Sequence, residues 1–174
     1  MVVEPPATRG FPPSVFTELP RLLERAGMGD DGNEGAITAL FTVLVEGDDH
    51  DEPVADAVRG ILDGHVVLDR RIAEAGRYPP VDVLRSLSRT APGVLDAHER
   101  PLVAEARRHL ATWAEVRDLV RLGAYRPGHD READAAVALA PAIERVLAQA
   151  KGMASDPDEA FSALASAMSM PDSP

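Results

Sequence analysis

The stretch RYPPVDVLRSLSRTAPG, residues 77–93, holds the two side chains best placed for chemistry, Tyr78 and Arg89. Tyr78 precedes Pro79 and Pro80, whose fixed φ stiffens the backbone beyond the ring. Arg89 closes an apolar extended segment built from Val81, Val83, Leu84 and Leu87, after Ser86 and Ser88. As isolated residues both have ordinary roles. Tyr78 reads as a half-buried strand-end tyrosine with its hydroxyl on a backbone group, Arg89 as a surface arginine or the partner of Asp63 or Asp69. Three acidic-histidine stretches are the other candidates: EGDDHDE at 46–52, LDAHER at 95–100 and PGHDRE at 127–132. None has H-x-x-x-H or D-x-[DN]-x-[DN]-G spacing, so they read as solvated loops rather than metal sites. No G-x-S-x-G elbow is present, which argues against independent serine nucleophile chemistry. The single lysine, Lys151, lies in AQAKGMAS with no Ser or Thr after it. A phosphate-cradling G-x-x-x-x-G-K-[ST] loop is therefore absent from these residues.

Composition narrows the classes. The 174 residues are 45% hydrophobic but only 4% aromatic, so the core must be aliphatic. The formal net charge of -11 repels phosphate backbones and argues against nucleic acid as the main partner. There is no cysteine, hence no disulfide or thiolate metal site, which suits a reducing cytoplasm. MVVEPPATRG has no apolar signal-peptide region, and no apolar run reaches the roughly 18 residues of a membrane span.

The elements that must position Tyr78 and Arg89 follow from periodicity. Residues 1–13 read as a loop, 15–26 as an amphipathic helix capped by Ser14 and kinked by Pro20, and GMGDDGNEG as a flexible loop. AITALFTVLVE, 36–46, is apolar and β-branched, as a strand covered on both faces should be. A helix is predicted at 53–63, strands at 65–69 and from Tyr78 to Arg89, and a short helix between them. From residue 94 the pattern is helical throughout. One long helix, or two joined near Ala111–Thr112, is followed by helices at 131–139, 141–150 and 157–168, with Pro141 starting one and Asp156 capping another. The reading is α/β over 1–93, then all-α over 94–170.

Long stretches carry a resemblance. EPPATRGFPPSVFTELPRLLERAG, AITALFTVLVEGDDHDEPVADAVRGILDGHVVLDRRIAEAGRYPPVDVLRSLSR and DLVRLGAYRPGHDREADAAVALAPAIERVLAQ are similar to the flagellar and type III secretion export ATPases, themselves related to the α and β subunits of rotary ATP synthases. The resemblance implies that 1–93 is the C-terminal part of a RecA-like P-loop NTPase core and 94–170 a helical C-terminal domain. It implies hydrolysis of ATP, with Mg2+, in a homohexameric ring that energises protein export. Arg89 then falls on the arginine finger, acting on the neighbouring subunit's γ-phosphoryl, where a planar guanidinium reaches two oxygens at once. Tyr78 falls on the position that stacks on the adenine of its own subunit's nucleotide. The family pattern there is YPA, so Pro80 is a departure. EGDDHDEP and EPPATRG correspond to loops facing the ring's pore.

The same resemblance implies that a barrel domain, the P-loop and the Walker B strand, with the phosphate and metal ligands, would precede residue 4. These 174 residues then represent a C-terminal fragment, inactive alone, as from a truncated gene. Implied partners are further copies of the chain, a central stalk, regulatory export proteins and chaperone–substrate complexes. The implied location is the cytoplasm, peripheral to the inner-membrane export gate. The competing readings are a non-catalytic module that binds substrates or chaperones, and a fragment of a rotary ATP synthase subunit.

Overall fold

The computed structural model describes residues 14–29, 35–45 and 53–169. It forms two compact units, one up to His65 and one from Val66 onward. In the first, helix α1 (Val15–Leu23) packs against helix α2 (Pro53–Ile61). Their buried residues are Leu23, Val54 and Val58, with Val15, Leu19, Phe41, Val43, Ile61 and Leu62 around them. Pro20 lies inside α1 and removes one backbone donor, yet the helix runs through it. Leu23 at 3% exposure on the apolar face supplies the opposing gain. Ser14 occupies the position before α1 without a side-chain cap, so the predicted cap is not made.

Strand content here differs from the expectation. Strands β1 (Gly27–Met28) and β2 (Ala36–Ile37) form a short antiparallel pair, Gly27 opposite Ile37 and Met28 opposite Ala36. Part of the expected flexible loop is therefore paired, and Gly27 takes a positive φ of 140° that suits glycine. The expected strand over 36–46 is confined to Ala36–Ile37, since residues 38–45 carry no strand and residue 46 lies outside the described residues. A strand needs a neighbouring ladder. Among the described residues none lies beside 38–45, and Leu40 and Leu44 are 98% and 86% exposed instead of covered.

Strand β3 (Gly64–Leu68) crosses the boundary at Val66, and the second unit continues through helix α3 (Arg70–Glu74) and strand β4 (Val81–Ser88) into four helices. These are the short α4 (Ala91–Val94), then α5 (Glu99–Arg121), α6 (Arg131–Val146) and α7 (Pro157–Ser169). β3 and β4 are neighbours in one sheet. Ala106, Leu110, Ala140 and Ile143 form the core, against which Val83, Leu84, Trp113, Leu139, Leu147, Leu164 and Met168 pack. β4 thus shares a core with α5, α6 and α7, across the change in sequence character at residue 93. Leu87, the last apolar residue of the extended segment, is 51% exposed.

Carboxylates start the helices. Asp69 accepts from the Arg71 N–H at 2.7 Å ahead of α3. Asp96 accepts from the N–H groups of His98 and Glu99 at 2.6 and 2.7 Å, while Glu99 reaches back to the Asp96 N–H at 2.9 Å. That reciprocal pair is a capping box for α5. The Glu99 and His98 backbone donors hold the Asp96 carboxyl below the usual carboxylate range. Asp130 caps α6 through Glu132 and Ala133, and Asp156 accepts from Asp158 at the start of α7. α5 is one helix without a joint at Ala111–Thr112. α6 is also one helix, so the predicted break at Pro141 does not occur. Ala140, Ala142 and Ile143 are buried on both sides of the proline, and that burial outweighs the lost hydrogen bond.

Candidate functional site

Tyr78 sits in the bend before β4, 57% exposed, with a cis bond to Pro79. Its hydroxyl makes no hydrogen bond with the described residues, unlike an ordinary strand-end tyrosine. Its backbone is tightly held. The Gln149 N–H donates to the Tyr78 carbonyl at 2.7 Å, from the chain just after α6. The Arg77 guanidinium, with its side chain 13% exposed, places Nε 2.7 Å from Glu144 Oε2. Its Nη2 donates to the Val81 carbonyl at 2.9 Å and its Nη1 to the Pro79 carbonyl at 3.5 Å. One planar group therefore gathers both ends of the Pro79–Val81 turn and fixes them to α6. The sequence reading passed over Arg77; its adjacency to Tyr78 was the available signal.

Arg89 is exposed in the bend directly after β4. The Ser88 hydroxyl pins that bend, lying 3.2 Å from Thr90 Oγ1 and accepting from the Ala91 N–H at 3.1 Å. Asp69, weighed as a partner for Arg89, has the Arg85 guanidinium at 3.6 Å. Side chains also engage the backbone of β4. Asp82 Oδ1 accepts from the N–H groups of Leu84 and Arg85 at 3.0 and 3.1 Å. The Ser86 hydroxyl donates to the Asp82 carbonyl at 2.6 Å and accepts from the Val67 N–H of β3 at 2.9 Å. Arg107 of α5 donates to the carbonyls of Val83 and Leu84. Tyr78 and Arg89 are not brought together: they flank opposite ends of an eight-residue strand, which spans up to roughly 26 Å at ~3.3 Å per residue.

The acidic-histidine stretches divide. LDAHER and PGHDRE supply the helix caps Asp96 and Asp130, and EGDDHDE lies outside the described residues. EPPATRG lies outside them as well. Among the described residues no group of three or more His, Cys, Asp or Glu is placed to hold a metal ion. The described residues therefore assemble no Mg2+ site of their own.

Past α5, Asp134 ties down the loop to α6. It accepts from the Tyr125 hydroxyl and, at 2.9 and 3.2 Å, from the Gly128 N–H. Its hydrogen bond and negative charge push the Tyr125 hydroxyl up to about 12. A raised tyrosine pKa means the folded state holds the proton more tightly. The contribution to stability is complete below pH 10.0 and is lost as pH rises towards about 12. In a Tyr78→Phe background, absorbance titration is expected to show Tyr125 ionising near 12, and Asp134→Asn should bring it back towards 10.0. An unchanged midpoint in Asp134→Asn would show that this bond does not set it.

Residues 1–88 match the family model for the ATP synthase alpha/beta family, nucleotide-binding domain. The chain belongs to the ATP synthase alpha/beta family. Within this family it carries the mark of the export branch, since residues 95–166 match the T3SS EscN ATPase C-terminal domain. Among curated relatives, the flagellum-specific ATP synthase of Caulobacter vibrioides is 55% identical over 165 residues, which cover 92% of this chain and 37% of that protein. Among solved structures, the assembled type III secretion ATPase EscN of enteropathogenic E. coli is 39% identical at a TM-score of 0.86, covering 95% of this chain and 39% of that one. EscN in complex with its central stalk EscO matches at a TM-score of 0.80 and 38% identity. The chain spans about a third of the length of the curated relatives it matches. No described helix is long and apolar enough to cross a membrane.

Proposed function

We propose that these residues are the C-terminal part of an ATPase that energises protein export. The carrying observation is the two family models met in order along the chain, the nucleotide-binding domain and then the EscN-type C-terminal domain. In this reading residues 1–93 complete a RecA-like core and 94–170 form the helical C-terminal domain. The working unit is a homohexameric ring at the cytoplasmic face of the export apparatus. EscN's assembly and its complex with EscO support a ring with a central stalk as partner. Regulatory proteins and chaperone–substrate complexes would meet the same ring.

Each copy serves two nucleotides. Tyr78 stacks on the adenine of its own subunit's ATP, its exposed ring offered from a fixed backbone. Arg89 reaches the neighbour's γ-phosphoryl from the pinned bend after β4. Its forked donors stabilise charge on the phosphoryl oxygens as the terminal bond breaks. The strand length between the two residues supports their serving separate sites. Bound Mg2+ would neutralise phosphate charge; among the described residues no group of His, Asp or Glu is placed to hold it.

The test is reconstitution. The 174 residues alone are expected to show no ATP turnover. Joined behind the preceding segments of the Caulobacter relative, in place of its own C-terminal part, they should restore it. A folded, nucleotide-binding chimera without turnover would count against the reading. So would turnover by the 174 residues alone.

A further inference from the structure

We infer that Arg77 is the positioning residue for the adenine contact: it locks the Tyr78 backbone onto the helical bundle, so the ring's place is set by α6. The inference rests on the reading of Tyr78 as an adenine platform and names what holds that platform. An exposed ring on a loop stacks well only if the loop is ordered beforehand, because ordering it on binding costs affinity. Pro79 and Pro80 restrict the chain but attach it to nothing. The attachment is made by Arg77, through Glu144 at 2.7 Å and the Val81 carbonyl at 2.9 Å, and by the Gln149 N–H on the Tyr78 carbonyl at 2.7 Å. Glu144 and Gln149 stand on either side of the C-terminal end of α6 (Arg131–Val146). Whatever shifts that end shifts the ring.

The chemistry requires arginine. The ion pair uses Nε and the carbonyl contacts use Nη1 and Nη2, so three nitrogens of one rigid plane point three ways. A lysine ammonium can keep Glu144 or the carbonyls, but lacks the fork that joins them. With its side chain 13% exposed, Arg77 is also poorly screened compared with the surface pairs of this chain, such as Arg70–Glu74 at 81% and 65%. Arg77 touches no nucleotide in this account and acts through Tyr78.

The experiment uses the 174 residues joined behind the preceding segments of the Caulobacter relative, labelled for nuclear magnetic resonance, with ATP as the probe. In the wild type the Tyr78 ring resonances should move as ATP is added, and the Gln149 amide should exchange slowly. In Arg77→Lys, Arg77→Ala and Glu144→Gln that amide should exchange about tenfold faster, the effect of losing one supporting bond. The Tyr78 response at equal ATP should shrink, while the buried amides of Ala136 and Ala140 keep their protection. The two milder variants keep the test usable if Arg77→Ala does not fold. A Gln149 amide unchanged in Arg77→Lys and Glu144→Gln overturns the lock alone. A wild-type Tyr78 ring indifferent to ATP overturns the adenine reading, and the positioning role with it.

Discussion

Arg89→Ala, placed in an assembled ring with a complete nucleotide-binding domain, should lower ATP turnover by about a thousandfold or more while leaving ATP binding largely intact. That corresponds to roughly 4 kcal/mol of lost transition-state stabilisation. The asymmetry between turnover and binding follows from where the charge appears. The ground-state phosphates are gripped by the subunit that binds them. In the proposed ring the neighbour's guanidinium would meet the extra charge that develops on the equatorial oxygens as the bond breaks. Arg89→Lys should restore little, because an ammonium has one charged centre and cannot span two oxygens. The effect should also cross subunits: a ring mixing Arg89→Ala copies with wild-type copies should lose the sites next to the variant, not those on it. Single-turnover kinetics beside equilibrium nucleotide binding separate the two quantities. Full turnover in Arg89→Ala would remove this residue from the reaction.

The second large effect concerns the bundle that carries Gln149 and Glu144. Ile143 is 1% exposed and belongs to one core with Leu110, Ala106 and Ala140. Ile143→Ala removes buried methyl groups and leaves a cavity, a loss of about 2–5 kcal/mol. A domain's whole stability is only about 5–15 kcal/mol, so this substitution threatens the fold of the second unit. Leu87→Ala, at a position 51% exposed, should cost less than about 0.5 kcal/mol. Trp113, the only tryptophan, packs on the same core and reports the transition by fluorescence in denaturant. Equal midpoints for the two variants would show that Ile143 is not where the stability resides.

The helical half was legible because its signal is local. Apolar residues at helical spacing from Leu102 to Val120, and Asp156 ahead of a periodic run, depend on no distant partner. The misreading at Pro141 has the opposite cause. A proline is locally a breaker, and only the tertiary burial of Ala140, Ala142 and Ile143 carries the helix past it. The 36–46 segment failed for a related reason. Its composition suits a covered strand, but pairing is a property of neighbours that composition does not contain. At the site, the types and positions of Tyr78 and Arg89 drew attention to them, and resemblance gave them roles. The supports were hidden, since Arg77 and Glu144 are 67 residues apart in sequence. Nothing periodic joins them.

The side-chain bonds to the β4 backbone also bear on how this sheet can grow. The N–H groups of Leu84 and Arg85 are spent on Asp82, and the carbonyls of Val83 and Leu84 on Arg107. A foreign strand arriving at the middle of β4 finds these two donors and two acceptors already engaged. The arrangement works as a built-in terminator against edge-to-edge aggregation. On β3, Val66 and Leu68 present 69% and 63% of their surface, an apolar face left open to a covering layer.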